Sequence, residues 1–295
     1  MASNFKTYLT DRDYEVLDAL VKTPLDARQL LSMSRCFARP FTHERLVRRR
    51  MTQLVTSGFL KCYQYATRGA GALNYYKPTK QGYQIMQGSK CQLPPRSYFA
   101  AVSMSMQEHT RSLSDFIVKT HVAASEQGIR LNGFYRENGL QLTLGKRSLQ
   151  PDCAFQLLDD SNQAYNYLVE IDCGSEPVRS TKHRESLEQK IRFYDEYQDK
   201  TRKRFRVLVL FSKPSVRMTH FCEMAHELVR NPRRHLFYAG LLSSYLQNCD
   251  AIRSPIFVDR HLNTQALVPC SPARPGGRSP SSNRRDLLVS AASVW

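Results

Sequence analysis

The sequence feature that most constrains the fold is the stretch YNYLVEIDCGSE, residues 165–176. Val169 and Ile171 are typical of a buried strand, yet Glu170 and Asp172 alternate with them. Because side chains two residues apart in a strand point to the same face, both carboxylates project from one face of an otherwise apolar strand. Like charges in a poorly solvated place are costly unless a cation lies beside them. The stretch therefore predicts a buried strand whose two acids need a cationic partner.

The excess of basic residues restricts the class of partner. The chain carries 43 Lys and Arg against 26 Asp and Glu, a formal net charge of +17. An excess of this size favours a polyanion, with nucleic acid first, over a merely basic and well-solvated surface. The charge is also uneven, since residues 42–100 hold ten Lys or Arg and one acid, Glu44.

The apolar runs give no sign of a membrane protein. None approaches the roughly 18–20 residues that cross a bilayer. The stretch MASNFKTYLTDRD lacks the charged-then-apolar layout of a signal peptide. We therefore expect a cytoplasmic protein that has no membrane partner.

The first 90 residues have the pattern of three helices followed by a β-hairpin. Helices are predicted over 9–22, 26–33 and 42–57, strands over 59–66 and 73–78 around a Gly-rich turn at 68–72, and a further helix over 79–88. This is the order of a winged helix-turn-helix, in which the third helix enters the major groove and the wing contacts the backbone. The alternative is a three-helix packing module with a solvated basic face.

The predicted third helix has two distinct faces. Val47, Met51 and Leu54 fall together on its apolar side. The predicted DNA contacts on the opposite side are Arg45, Arg48, Arg49 and Thr52. The predicted phosphate contacts on the hairpin are Lys61, Arg68 and Lys77. This region therefore predicts binding to double-stranded DNA.

The rest of the chain predicts a second domain of mixed α/β (α+β) class. Its elements are a helix over 108–128, strands over 130–136, 152–158 and 165–173, a helix over 182–199 and a strand over 204–211, followed by a helix over 214–230 and a strand near 235–239. The first six form the αβββαβ order of the PD-(D/E)xK nuclease, or restriction-endonuclease-like, fold. The predicted division is a winged-helix domain (1–90), a linker (91–103), a nuclease-like domain (104–269) and a disordered basic tail (270–295).

The acids of this second domain predict a metal site. In that fold Asp152, at the mouth of one strand, converges with Glu170 on the next, and their oxygens suit Mg²⁺. Such an ion would polarise a phosphodiester and lower the pKa of an attacking water. Asp172 stands where the motif expects a lysine, and Lys190 is the candidate replacement. The predicted catalytic set is therefore Asp152, Glu170, Asp172 and Lys190; the three acids are also the predicted metal ligands, with Glu137 and Glu176 as possible further ones.

Three readings of Lys190 follow from its place on the predicted helix. It falls on the same face as Ile191 and Tyr194, the face expected to pack on the sheet. Its amine could reach the carboxylates and supply the catalytic cation, or its stem could extend to solvent. It could also form a structural ion pair with Glu170 and Asp172 that needs neither metal nor catalysis.

Several motifs together resemble the replication-relaxation family. They are HTRSLSDF (109–116), FYREN (134–138), PDCAF (151–155), YLVEIDCGSE (167–176) and QKIRFYDEY (189–197), after the predicted winged helix. The resemblance covers about residues 8–240 and implies a role in plasmid replication, in relaxation of plasmid DNA or as a mobilisation accessory. The residues that match the family's charged positions are Asp152, Glu170, Asp172, Glu176 and Lys190.

Three functions remain open from the sequence. The first is a DNA-binding protein in plasmid replication, relaxation or mobilisation, whose partners would be the plasmid origin region and a replication or mobilisation complex. The second is an active Mg²⁺-dependent DNA endonuclease or nickase. The third is a transcriptional regulator that binds an operator.

Overall fold

The computed structural model describes residues 8–66, 73–136, 139–174, 177–179, 186–214 and 216–269. The N-terminal part consists of helices around a small sheet. Its helices are α1 (Asp11–Lys22), α2 (Ala27–Met33), α3 (Glu44–Thr56) and α4 (Lys80–Gln87). Its strands are β1 (Leu25–Asp26), β2 (Leu60–Tyr65) and β3 (Leu73–Pro78), which pair antiparallel in the order β1-β3-β2.

Local hydrogen bonds fix where the first helices begin. The backbone N–H and the hydroxyl of Thr10 both donate to the Asp13 carboxylate at 2.7 Å, which closes the first turn of α1. At the start of α2, the Asp26 carboxylate accepts from the backbone N–H of Arg28 and of Gln29, both at 2.8 Å. Both helices therefore start where a capping side chain satisfies exposed backbone donors.

The larger part contains one seven-stranded sheet. Its helices are α5 (Gln107–Glu126), α6 (Leu187–Lys200), α7 (Arg217–Leu228) and α8 (Leu242–Gln247). The strands that form the large sheet are β4 (Arg130–Arg136), β7 (Cys153–Leu158), β8 (Ala164–Asp172), β9 (Arg206–Phe211), β10 (Phe237–Leu241), β11 (Phe257–Asp259) and β12 (Thr264–Gln265); β5 (Leu142–Leu144) and β6 (Arg147–Leu149) form a separate hairpin.

The order of strands in the large sheet is β12-β11-β10-β9-β8-β7-β4. Strands β8, β9 and β10 run parallel, and the other neighbours pair antiparallel. Helices α5 and α8 cover one face, where the core contains Val169 and Ile171 of β8. Helices α6 and α7 cover the other face, where the core contains Leu168. Strand β8 is therefore buried on both sides.

The two predicted domains are in contact through α5. Val118 and Val122 of this helix complete the N-terminal core, and Phe116 and Ile117 belong to the core of the large sheet. At the same boundary, the hydroxyls of Thr23 and Ser114 lie 2.7 Å apart. One helix thus contributes to both cores, so the N-terminal part and the large-sheet part of the chain are packed together through α5.

The segment predicted as a linker, residues 91–103, is partly bound to the N-terminal sheet. The Tyr63 hydroxyl donates to the Phe99 carbonyl at 2.6 Å, and the Val102 N–H donates to the Tyr75 hydroxyl at 2.8 Å. These bonds hold the segment along β2 and β3, so it packs on the structure that it connects.

The predicted helices and strands of these ranges are present, with ends shifted by a few residues. The hairpin of β5 and β6, helix α8 and strands β11 and β12 were not predicted, because each is short. The turn at 68–72 and the tail at 270–295 lie outside the described residues. The chain is of mixed α/β class. Among its described helices, none is both long and apolar enough to cross a bilayer.

Candidate functional site

Asp152 lies just before the first residue of β7, beside strand β8. The pairing of β7 with β8 continues one residue further, since the Asp152 N–H donates to the Val169 carbonyl at 2.9 Å. The Asp152 carboxylate then accepts the N–H of Ile171 at 2.6 Å. Asp152 therefore lies beside the last residues of β8, the part of the strand that carries Glu170 and Asp172.

Glu170 is buried and has two partners on α6. Its carboxylate accepts a hydrogen bond from the Lys190 ammonium at 2.8 Å and another from the Tyr194 hydroxyl. Burial raises the pKa of Glu170 to about 7; Lys190 pulls this pKa down, and the nearby Asp152 carboxylate pushes it up. The Asp152 carboxylate is thus near enough to Glu170 to raise the pKa of Glu170.

Lys190 reaches the sheet because of where it lies on α6. The Ser186 hydroxyl caps this helix by accepting the Gln189 N–H at 3.3 Å. Ile191 and Tyr194 are buried on the same side of the helix. The Lys190 side chain is 17% exposed, and its amine binds Glu170. The Lys190 side chain therefore does not extend to solvent. Two of the three interpretations stay open: a catalytic cation and a structural ion pair.

Asp172 has a different cation from the one predicted. Arg217, in the first turn of α7, forms two hydrogen bonds to it, from Nε at 2.8 Å and from a terminal nitrogen at 3.0 Å. The N–H of Gly174 donates to the same carboxylate at 2.7 Å. The expected grouping of Asp172 with Lys190 is therefore replaced by two separate pairs on one face of β8.

Sequence reasoning missed Arg217 because the pair depends on which strands are neighbours. Strands β8 and β9 run parallel, with Asp172 opposite Phe211, so the helix after β9 begins beside the end of β8. A basic residue at the start of that helix was the available signal.

His109 is the second residue that the sequence did not assign to the site. It lies in the first turn of α5, and its Nε2 is 3.0 Å from the Asp152 carboxylate. Both side chains are mostly buried, at 17% and 16% exposure. Its place at the start of the HTRSLSDF stretch was a signal, but only the fold brings α5 to the mouth of β7.

The described residues fit a metal ion only in part. Asp152 and Glu170 are neighbouring carboxylates, the oxygen ligands that Mg²⁺ prefers. Both oxygens of Asp172 are bound by Arg217, which leaves that residue poorly placed as a ligand. Within the described part of the chain, no group of three His, Cys, Asp or Glu side chains could hold a metal. Glu137 and Glu176 lie outside it.

Helix α3 presents the arginine face that was predicted. Val47, Met51 and Leu54 are buried. The predicted DNA contacts are exposed: Arg45, Arg48, Arg49 and Thr52. Arg48 is paired with Glu44 four residues earlier, with Nε at 2.9 Å from the carboxylate. Among the residues that the structure describes, Arg45 and Arg49 form no ion pair.

The basic residues predicted to contact phosphates from the hairpin lie in different environments where the structure describes them. Lys61 is exposed on β2, and Arg68 lies outside the described residues. Lys77 is 4% exposed, because β3 is the central strand of its sheet. Its amine donates to the Ala100 carbonyl at 2.7 Å. The prediction that Lys77 contacts phosphates on the surface is corrected, since it instead secures residues 91–103.

Comparison with protein families gives one match. The replication-relaxation family matches residues 22–208, more than half of the chain. This range includes α3, His109 and the Asp152, Glu170 and Lys190 cluster, but ends before Arg217. No curated protein and no solved structure matches the chain.

Proposed function

We propose that this chain, which belongs to the replication-relaxation family, binds double-stranded DNA in plasmid replication, relaxation or mobilisation. The observation that carries the proposal is the pair Arg45 and Arg49, exposed on α3 with no ion pair among the described residues. Cations that are not neutralised within the protein are available for phosphates. Each phosphate contact releases counterions and favours binding.

The arrangement around α3 supports a winged-helix interpretation. Three helices precede the hairpin of β2 and β3, and Lys61 is exposed on that hairpin. In such a unit the third helix lies in the major groove while the wing contacts the backbone. We assign Arg45, Arg49 and Thr52 to the groove and Lys61 to the backbone.

The test is a DNA-binding titration with a matched control. A fluorescent mixed-sequence duplex is titrated with wild type, with Arg45→Ala/Arg49→Ala and with Arg202→Ala/Arg233→Ala, which removes two exposed charges outside α3. We expect the first variant to bind about 10- to 100-fold more weakly and with a smaller salt dependence. Equal binding by both double variants would remove α3 from the interface.

The same protein would act in the cytoplasm on plasmid DNA. A plasmid-origin fragment competing no better than mixed-sequence DNA would point to general DNA binding in a replication or mobilisation complex. Selective binding to an operator with no effect on plasmid copy number or topology would instead support a transcriptional regulator.

A second candidate function, a Mg²⁺-dependent DNA endonuclease or nickase, has its own observation. Asp152 lies just before the strand that pairs with that of Glu170, near enough to raise the pKa of Glu170, and the Lys190 amine lies 2.8 Å from the Glu170 carboxylate. When bound, Mg²⁺ would supply charge stabilisation and an acidified water. In this proposal Asp152 and Glu170 would hold the ion, His109 would orient Asp152, and the Lys190 amine would stabilise charge on the phosphate.

The endonuclease test uses supercoiled plasmid with and without MgCl₂. Nicking by wild type that is lost in Asp152→Ala and in Glu170→Ala, but kept in Asp160→Ala, would support this function. Asp160 is an exposed acid paired with Arg253, outside the cluster. Nicking that survives both substitutions would exclude this site. An absence of nicking together with retained DNA binding would favour a structural role for the Lys190–Glu170 pair.

A further inference from the structure

A depression lies between α1 and α3, beside the predicted DNA-binding face of α3. Its volume is about 240 Å³, and it is lined by Arg12, Phe41, Leu46, Arg49, Arg50 and Gln53. This is smaller than the roughly 300–1,000 Å³ of small-molecule sites. The depression adjoins the arginine face, since Arg49 belongs to both.

The depression combines positive charge with an apolar floor. The Arg12 guanidinium lies over the Phe41 ring, 4.5 Å from its centroid. Leu46 is 43% exposed beside them and supplies apolar surface. A ligand that matches this surface carries a negative group beside an apolar one.

The charge balance leaves two guanidiniums for such a ligand. Arg50 is neutralised, because its Nε lies 2.7 Å from the buried Asp13 carboxylate. Arg12 and Arg49 have no ion-pair partner among the residues for which the structure gives positions. Arg12 and Arg49 therefore leave two positive charges in one depression that no carboxylate of the described residues neutralises.

The junction of α1 and α3 is held in place before any ligand binds. Asp13 accepts from Thr10 at the start of α1 and from Arg50 on α3, so one buried carboxylate connects the two helices. Arg50 also donates to Gln53 at 2.8 Å. A site that is already ordered loses less conformational entropy when a ligand binds.

We infer that Arg12 and Arg49 bind one sugar-phosphate unit of the DNA backbone, with the phosphate between the guanidiniums and the deoxyribose against the exposed Leu46 side chain. The inference rests on the proposed DNA binding and adds a contact outside the predicted set. It also shifts the interface toward α1 and away from Arg48, which is paired with Glu44, a carboxylate that also pairs with Arg28 at the surface. Arg12 therefore contributes more to DNA affinity than Arg48 does.

The experiment measures the affinity for a fluorescent mixed-sequence 30-base-pair duplex between about 50 and 250 mM salt. We expect Arg12→Met, which keeps an apolar stem on Phe41, to weaken binding about five-fold near 150 mM salt and to reduce the salt slope by about one. Arg12→Lys should restore most of the slope, whereas Arg48→Met should change affinity less than two-fold. Arg202→Met is the control for loss of an exposed charge.

Several outcomes would overturn the inference. If the salt dependence of duplex binding is unchanged in Arg12→Met while Arg45→Ala/Arg49→Ala binds weakly, Arg12 does not contact the phosphate. That result would leave the proposed function intact. Absence of duplex binding by wild type would reject both. Binding of a labelled poly-glutamate peptide that depends on Arg12, with duplex binding independent of it, would assign the depression to an acidic protein partner instead. Melting temperatures of all variants check that each is folded.

Discussion

The arginine face of α3 and the acidic cluster at the end of β8 use charge in opposite ways. On α3, Arg45 and Arg49 are exposed and carry no ion pair among the described residues. On β8, Glu170 and Asp172 are buried, and each is held by a cation from a different helix. Exposed charges of one sign favour a charged partner, whereas buried charges must first be compensated within the protein. The comparison predicts that one region controls DNA affinity and the other controls stability.

The largest expected effect is on the buried pair. Lys190→Met leaves Glu170 without its cation, and breaking such a pair costs about 3–5 kcal/mol of unfolding free energy at pH 8. Glu170→Gln/Lys190→Met should recover much of the loss, since no uncompensated charge remains. Urea denaturation measures both. Lys200→Met, which breaks an exposed pair with Glu196, is the control and should leave the midpoint unchanged. A single variant as stable as wild type would contradict the structural importance of the pair.

The next effect is the pH dependence of stability that Glu170 contributes. Its folded-state pKa is raised from 4.5 to about 7 by burial. Between these values the folded protein binds more protons than the unfolded chain, so the free energy of unfolding falls as the pH rises from about 4.5 to 7. The change is on the order of 3 kcal/mol. The difference in urea midpoint between wild type and Glu170→Gln should change as the pH rises from about 4.5 to 7, with wild type losing stability relative to the variant. A difference that is the same at every pH would show that this titration is absent.

A smaller effect distinguishes two neighbouring arginines of α3. Arg50→Met should destabilise the protein by about 1–3 kcal/mol, because the buried Asp13 carboxylate loses its partner. Burial raises the pKa of Asp13, but hydrogen bonds from Arg50 and Thr10 outweigh this and lower it. Arg49→Met should weaken DNA binding without a measurable loss of stability. Thermal unfolding measures the stability of the two variants, and duplex titration measures their DNA affinity. Equal melting temperatures for Arg49→Met and Arg50→Met would contradict this prediction.

The smallest effect concerns Arg48. Its pair with Glu44 is an exposed contact one helical turn apart, and such pairs contribute about 0.3–0.5 kcal/mol. Arg48→Met should therefore shift stability only slightly. Thermal unfolding at low and at high salt measures the difference, which should disappear at high salt because the exposed pair is screened. A shift as large as that of Arg50→Met would show that exposure does not separate the two arginines.

Much of the fold could be predicted because the long elements are strongly periodic. The apolar positions of α3 and the alternation in β8 were visible in the sequence, and both elements are present. Short elements such as β5, β6 and α8 were not predicted, since three to six residues give little periodic signal. For the site, local pattern indicated Asp152, Glu170 and Lys190 but not His109.

The sequence by itself determined that β8 is buried and carries two acids on one face, because strand periodicity leaves no other placement. It also determined that α3 separates apolar from basic residues. Only the tertiary structure decided which cation each acid receives, since Arg217 reaches Asp172 through the parallel pairing of β8 and β9. It likewise decided that Lys77 is buried and that Arg12 lies beside Arg49. Contacts between residues far apart in the chain depend on the order of strands and on helix packing, which periodicity does not specify.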